Sequence, residues 1–209
     1  MKLSVYNTKG KETSKSVTLS KDVFGIEPNN HAIYLDVKHY LAAQRKGTHK
    51  SKERGEISGS RRKLRKQKGS GAARVGDIKN PLFRGGGRVF GPRPRNYEFK
   101  LNKKVKTLAR KSALSQMAKD KNIIVLEDFS MDSPSTKGYV KILSNLEQEN
   151  NKTLLILADS NKNIILSSRN LKKSKVLSAS SLTTYDLMNA NKLMLVESSI
   201  KEIEKNYKK

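Results

Sequence analysis

Cysteine and tryptophan are absent from this sequence, and so are long apolar runs. The lack of cysteine excludes disulfide bonds, thiolate ligands for zinc and a cysteine nucleophile. No apolar run approaches the roughly 20 residues that a membrane-spanning helix needs. Residues 1–15 also lack the hydrophobic stretch of a signal peptide. We therefore expect a cytoplasmic chain that is neither exported nor embedded in a membrane.

Acidic residues are scarce relative to basic ones. The 209 residues include 44 Lys and Arg but only 19 Asp and Glu, which gives a formal net charge of +25 and an isoelectric point near 10.2. Self-repulsion of this size destabilises a compact protein unless a polyanion neutralises it. The composition therefore predicts a nucleic acid as the partner, with an anionic membrane surface as the second candidate.

The positive charge is concentrated in residues 45–95, here called the basic loop. This segment contains 17 Lys and Arg against three acids, and ten of the 13 glycines. Its large apolar residues are few and aperiodic, so it cannot bury enough apolar surface to offset the entropy of ordering it. We interpret it as an insertion into a single α/β domain spanning residues 1–209, mobile when free and ordered by its partner.

The rest of the chain alternates between short apolar runs and helical patterns. Two strands are predicted at residues 1–7 and 15–20, then helices at 29–47 and 101–120. Four further strands are predicted at 122–127, 153–158, 175–180 and 192–197, separated or followed by helices near 137–149, 161–169, 183–189 and 198–206. Strands that are apolar on both faces indicate a mainly parallel sheet covered by helices, a three-layer α/β/α domain.

No catalytic motif emerges from the sequence. The glycine-rich stretches of the basic loop have neither the dinucleotide fingerprint nor the terminal Gly-Lys-Ser/Thr of a phosphate-binding loop. Among His31, His39 and His49, only His39 has an acid at a metal-ligand spacing, Asp36, and a surface or core-edge histidine is the favoured interpretation. The carboxylate pair Glu127–Asp128 after a predicted strand has no identifiable partner group. We predict that the protein is not an enzyme and uses no cofactor and no metal.

The kind of nucleic acid is indicated by the aromatic residues. Arginines can pair with phosphate and stack on bases, and here they alternate with aromatic residues: Phe83, Arg84, Arg88, Phe90, Arg93, Arg95 and Tyr97. Unpaired bases available for stacking are typical of folded RNA, so RNA is favoured over DNA. A basic DNA-compacting protein and an α/β RNA-processing enzyme using Glu127 or Asp128 stay open as alternatives.

Several motifs in residues 47–106 are specific enough to suggest a family. The most specific are "RKQKGSGAARVG", "GGGRVFGPRPR" and "LNKKVK". Together they resemble the bacterial form of the large-subunit ribosomal protein family called L-four, and the order of strands and helices is similar over the whole chain. The sequence differs from many relatives at Leu64–Arg65, where they carry Pro-Trp, and at Ala72, where Arg is frequent.

The resemblance implies a structural protein of the large ribosomal subunit that binds the large-subunit (23S) ribosomal RNA and supports early assembly. Its partners would be that RNA, neighbouring large-subunit proteins, and the nascent peptide in the exit tunnel. The family's loop tip helps to line the narrow part of this tunnel. The matching positions here are Lys66, Gln67, Lys68, Gly69, Ser70 and Gly71, with arms at residues 45–65 and 74–95 on either side.

The predicted RNA contacts are the basic residues of the loop and of the start of the following helix. They are Arg45, Lys46, Lys50, Lys52, Arg54, Arg61, Arg62, Lys63, Arg65, Lys66, Lys68, Arg74, Lys79, Arg84, Arg88, Arg93, Arg95, Lys103 and Lys104.

Overall fold

The structure is a computed structural model that describes residues 1–207. The chain divides into two compact units. The first unit comprises residues 1–41 and the chain from residue 100 onward, and the second comprises residues 42–99. The basic loop lies within the second unit.

The first unit is built on one six-stranded sheet. Its strands are β1 (Lys2–Tyr6), β2 (Glu12–Thr18), β3 (Ile123–Leu126), β4 (Thr153–Leu157), β5 (Ser174–Ser178) and β6 (Lys192–Val196). They are ordered β2-β1-β3-β6-β4-β5, so that the last strand of the chain lies in the interior of the sheet. Only the β1–β2 pair is antiparallel, and every other neighbouring pair is parallel. The predicted mainly parallel sheet is confirmed.

The α-helices lie close to their predicted positions, with one addition, and a short 3₁₀ helix at Ala179–Ser181 follows β5 where the strand was predicted to continue. The α-helices are α1 (Lys21–Phe24), α2 (Asn30–Ala43), α3 (Lys103–Lys119), α4 (Thr136–Asn145), α5 (Lys162–Ser168), α6 (Thr184–Asn189) and α7 (Glu197–Tyr207). Helix α1 was not predicted, because four residues are too few to show a helical period. Its start is recognisable only as a cap, where the Ser20 hydroxyl accepts a hydrogen bond from the backbone N–H of Asp22 at 3.3 Å.

Two apolar clusters, one on each face of the sheet, explain why the strands are apolar throughout. In β4, Leu154 and Ile156 belong to one cluster, whereas Leu155 and Leu157 belong to the other, because successive side chains point to opposite faces. Helices α1, α2, α3, α6 and α7 contribute to the first cluster, and α4 and α5 contribute to the second. The predicted three-layer arrangement is therefore confirmed.

The second unit has a different construction. From residue 45 to residue 99, all of which are described, the chain forms no helix and no strand. The two arms of the basic loop are instead joined by single backbone hydrogen bonds. These run from Arg95 N to Gly47 O (3.2 Å), from Ser51 N to Pro92 O (3.0 Å), from Arg88 N to Lys52 O (2.9 Å) and from Leu64 N to Gly76 O (2.9 Å).

Candidate nucleic-acid interface

The three acids of the basic loop are all used in ion pairs inside the loop. Glu53 Oε1 lies 2.5 Å from Arg93 Nη2, Asp77 Oδ1 lies 2.8 Å from Arg54 Nη2, and Glu56 pairs with Lys50. The first two pairs join one arm to the other. The Lys50 ammonium, together with the N–H of Glu53, lowers the pKa of the Glu56 carboxyl. The acids therefore hold the arms together and neutralise only three of the 17 cations.

The other 14 basic residues of the loop have no carboxylate partner among the described residues. Thirteen of them are exposed. Lys79 is the exception, with only 7% of its surface exposed, which makes it the least accessible of the predicted RNA contacts. The loop therefore presents a dense set of cations to solvent, and contact of each one with RNA stays a prediction.

The predicted tip is fully open to solvent. Every residue from 58 to 74 is exposed, including the six predicted tunnel-facing residues. Gly69 and Gly71 have φ angles of +80° and +62°, and a Cβ atom at either would meet nothing within 4 Å. Inside this segment the Lys63 ammonium donates a hydrogen bond to the Gln67 side-chain oxygen. The tip is thus exposed throughout, and Gly69 and Gly71 face open space.

An open concavity of about 400 Å³ lies next to the tip. Four basic side chains line it, those of Arg54, Arg61, Lys63 and Arg74. Asp77 is the one acid in the lining, and it is already paired with Arg54. Converging cations with little opposing charge suit a phosphate group, because charge-assisted hydrogen bonds to phosphate are strong.

The base of the loop is organised around Tyr97. The guanidinium carbons of Arg45 and Arg95 lie 3.8 Å and 4.6 Å from the centre of its ring. The Tyr97 hydroxyl lies 3.2 Å from His49 Nε2. A hydrogen bond with Arg95 and the charges of both arginines lower the pKa of Tyr97. Sequence analysis missed this cluster, since residues 45 and 97 are far apart in the chain.

Lys103 and Lys104 lie in the first turn of α3, and both are exposed. This turn has no acidic residue, and the preceding Asn102 makes no side-chain cap. Cations at the positive end of a helix dipole are unfavourable. An anion bound beside them would offset this cost, which is consistent with their predicted contact with phosphate.

The residues considered for catalysis are engaged in structural contacts. Glu127 Oε1 lies 3.2 Å from Lys15 Nζ, and this contact raises the pKa of Lys15. Asp128 Oδ1 accepts hydrogen bonds from the Ser198 hydroxyl at 2.5 Å and from the Ser198 N–H at 3.3 Å. No group of three or more His, Asp or Glu residues suitable for a metal occurs within residues 1–207.

These features define a class of protein in which an α/β domain carries an exposed cationic insertion, and in which Glu127 and Asp128, the carboxylates considered for catalysis, make structural contacts. The chain belongs to the Ribosomal protein L4/L1 family, whose family model matches residues 17–206. The predicted resemblance is confirmed. Membership in this family assigns the chain a structural role in the ribosome and not a catalytic one.

Close relatives match the chain over nearly its whole length. A large ribosomal subunit protein uL4 from Flavobacterium johnsoniae is 59% identical over 209 residues, covering 100% of both chains. The protein of the same name from Christiangramia forsetii is 60% identical over 204 residues, or 98% of each chain. That from Parabacteroides distasonis is 59% identical over 208 residues, again 100% of both. Separately, none of the helices in the described part of the chain is long and apolar enough to cross a membrane.

Proposed function

We propose that this chain is a constituent of the large subunit of the cytoplasmic ribosome and binds the large-subunit ribosomal RNA through the basic loop. The observation that carries the proposal is the set of 13 exposed cations that have no carboxylate partner among the described residues. The three internal acids are already paired, so they do not compete with phosphates for these cations. Lys103 and Lys104, which are exposed at the start of helix α3 in the first unit, are proposed as further RNA contacts.

Binding of this kind has a characteristic salt dependence. Each phosphate that a cation neutralises releases condensed counterions, so affinity falls as salt rises. A protein that makes about six to ten phosphate contacts loses roughly 10³- to 10⁵-fold in affinity between 50 and 200 mM salt. The basic loop has enough exposed, unpaired cations for this range. We therefore expect a steep fall in affinity over this interval.

The tip and the neighbouring surfaces have further proposed roles. Lys66, Gln67, Lys68, Gly69, Ser70 and Gly71 help to line the exit tunnel and contact the nascent peptide. Other large-subunit proteins are the remaining partners, and binding of the RNA early in assembly helps to organise its folding. The exposure of the whole tip supports this proposal, because a surface that lines a tunnel must not be buried within its own protein.

The RNA proposal can be tested with two triple variants that remove the same charge. The first replaces Arg61, Arg62 and Lys63 of the loop with alanine, and the second replaces Lys9, Lys11 and Lys21 of the first unit. All six residues are exposed. The measurement is affinity for a large-subunit ribosomal RNA fragment and for duplex DNA at several salt concentrations.

We expect the loop variant to reduce the slope of log affinity against log salt by about two to three, because each lost phosphate contact removes about 0.7 to 0.9. The control variant should keep the wild-type slope. The wild-type chain should bind the RNA more tightly than the DNA at matched salt, and it should co-sediment with the large subunit after a high-salt wash. Equal slopes for the two variants, or equal affinity for RNA and DNA, would contradict the proposal.

The tunnel proposal has its own test, which exploits the absence of cysteine from the chain. Ser70→Cys places a single thiol at the tip, and Ser14→Cys places one on the first unit, at a residue that is likewise exposed. A thiol-reactive crosslinker should join the first variant, incorporated into ribosomes, to a stalled nascent peptide. If neither Ser70→Cys nor Ser14→Cys crosslinks to the nascent peptide, or if both do so equally, the proposal that the tip lines the exit tunnel is contradicted.

A further inference from the structure

Phe90 combines a fully exposed side chain with a left-handed backbone conformation. Its side chain is fully exposed, at 104% of the reference value. Its φ angle is +53°, a left-handed conformation that, outside glycine, only Lys121 and Glu147 share among the described residues. Such a conformation is strained for a bulky residue, and an exposed phenyl ring forgoes the stabilisation of burial. The loop therefore bears two costs at one residue, and neither is offset by a contact within the protein.

The pairing of the two arms explains how the ring is displayed. Lys52 O accepts a hydrogen bond from Arg88 N, and the N–H of the adjacent Ser51 donates to Pro92 O. Between these two bonds the first arm advances by one residue while the second arm advances by four. Residues 89–91 are therefore extruded as a bulge, with Phe90 at its apex.

The glycine that follows closes this bulge tightly. A Cβ atom at Gly91 would lie 1.8 Å from the Ser51 hydroxyl oxygen and 2.8 Å from Arg88 Cγ. The chain can return to the other arm so sharply only because position 91 has no side chain. The bulge is thus closed at both ends by backbone hydrogen bonds to the opposite arm, and Phe90 lies between them.

The other aromatic residues of the second unit are less available. The ring of Tyr97 lies against the guanidinium groups of Arg45 and Arg95. Phe83 and Phe99 are half-buried. Phe90 is accordingly the one Phe or Tyr ring in residues 42–99, all of which are described, that is exposed to solvent.

We propose that Phe90 is a base-stacking residue that receives an unpaired base of the bound RNA. Every nucleobase has a face that stacks on an aromatic ring, and such stacking is worth about 5- to 150-fold in affinity. The exposed and unpaired Arg84 and Arg88 nearby in the chain favour an anionic partner over an apolar protein surface. This inference rests on the proposed function, since it assigns one subsite within the same RNA interface.

Four substitutions separate stacking from other apolar contacts. Phe90→Trp and Phe90→Tyr keep a flat aromatic face, Phe90→Leu keeps apolar volume without that face, and Phe90→Ala removes both. Because Phe90 makes no burying contact, all four variants should fold, which circular dichroism checks. Affinity for the ribosomal RNA fragment is measured across the salt series used for the charge variants.

We expect Phe90→Ala and Phe90→Leu to bind about 5- to 150-fold more weakly with an unchanged salt slope, because stacking releases no counterions. Phe90→Trp and Phe90→Tyr should bind within about threefold of wild type. Phe90→Trp also introduces the only tryptophan of the chain, and saturating RNA should quench its fluorescence. The control is Tyr34→Trp on helix α2, at a residue that is 56% exposed, which should keep its emission.

Several results would overturn the inference. Wild-type affinity of Phe90→Leu would show that the aromatic face is not used and that apolar packing, against RNA or a protein, is enough. Unquenched Phe90→Trp in a saturated complex would place the ring away from any base. Failure of the wild-type chain to bind the RNA fragment would overturn the proposed function and this inference with it, whereas the other two results leave the proposed function intact.

Discussion

The backbones of the two arms approach each other closely at Gly87, and the replacement of this residue by alanine tests the construction of the basic loop. A Cβ atom at this buried residue would lie 2.4 Å from the backbone nitrogen of Arg54 and 2.6 Å from its Cα. Both are backbone atoms, so no side chain can rotate away. The arms would have to separate by about 1 Å to restore an ordinary contact distance of about 3.5 Å. This movement would strain the hydrogen bond from Arg88 N to Lys52 O.

Overpacking of this kind costs about 1–3 kcal/mol. Because the composition predicts that the basic loop is ordered by its partner, we expect the cost to fall on the bound state and not on the free chain. The affinity of Gly87→Ala for the ribosomal RNA fragment should then be about 5- to 150-fold lower than that of the wild type. The matched control is Gly55→Ala, because a Cβ atom there meets nothing within 4 Å and the residue needs no positive φ.

Two measurements together decide this prediction. The first is the dissociation constant of each variant, and the second is hydrogen exchange at the amide of Arg88 in the free and bound protein. Equal affinities for the two variants, with unchanged exchange in both states, would refute the close approach of the arms. Faster exchange in free Gly87→Ala at unchanged affinity would show that the arms pair before RNA binds, which contradicts ordering by the partner.

Three further predictions concern charge, pH and the core. Glu53→Gln should steepen the salt slope by up to about 0.9, since it frees Arg93 for a phosphate; an unchanged slope would show that Arg93 stays committed to the loop. Burial raises the pKa of Tyr139 to about 12, so its neutral form is favoured in the folded state and stability should fall between about pH 10 and pH 12, by about 2–3 kcal/mol. Urea unfolding should show a smaller alkaline loss for Tyr139→Phe, and an equal loss would contradict the assignment. Leu114→Ala, at a residue with 0% exposure, should lower the free energy of unfolding by about 2–5 kcal/mol; a loss below about 1 kcal/mol would place Leu114 outside the core.

The boundaries of the helices show the limit of local patterns. The first predicted helix, at residues 29–47, extended to residue 47, whereas α2 ends at Ala43. Residues 44–47 include Arg45, whose guanidinium group lies against Tyr97. A contact between residues 52 positions apart leaves no periodic signal in either segment. Helix ends that depend on such long-range contacts therefore cannot be predicted from local sequence patterns.

The sequence by itself determined the three-layer α/β/α arrangement, with its mainly parallel sheet, and the existence of the basic loop. The strands are readable because both of their faces are buried, which forces unbroken apolar runs, and the loop is readable because its cations and glycines exclude a core. Only the tertiary structure decided that Glu53 and Asp77 tie the arms together, that Tyr97 is enclosed by arginines, and that Phe90 stands at the apex of a bulge. Composition fixes how much charge and apolar surface a segment carries, but the pairing of distant residues depends on how the two arms meet in space.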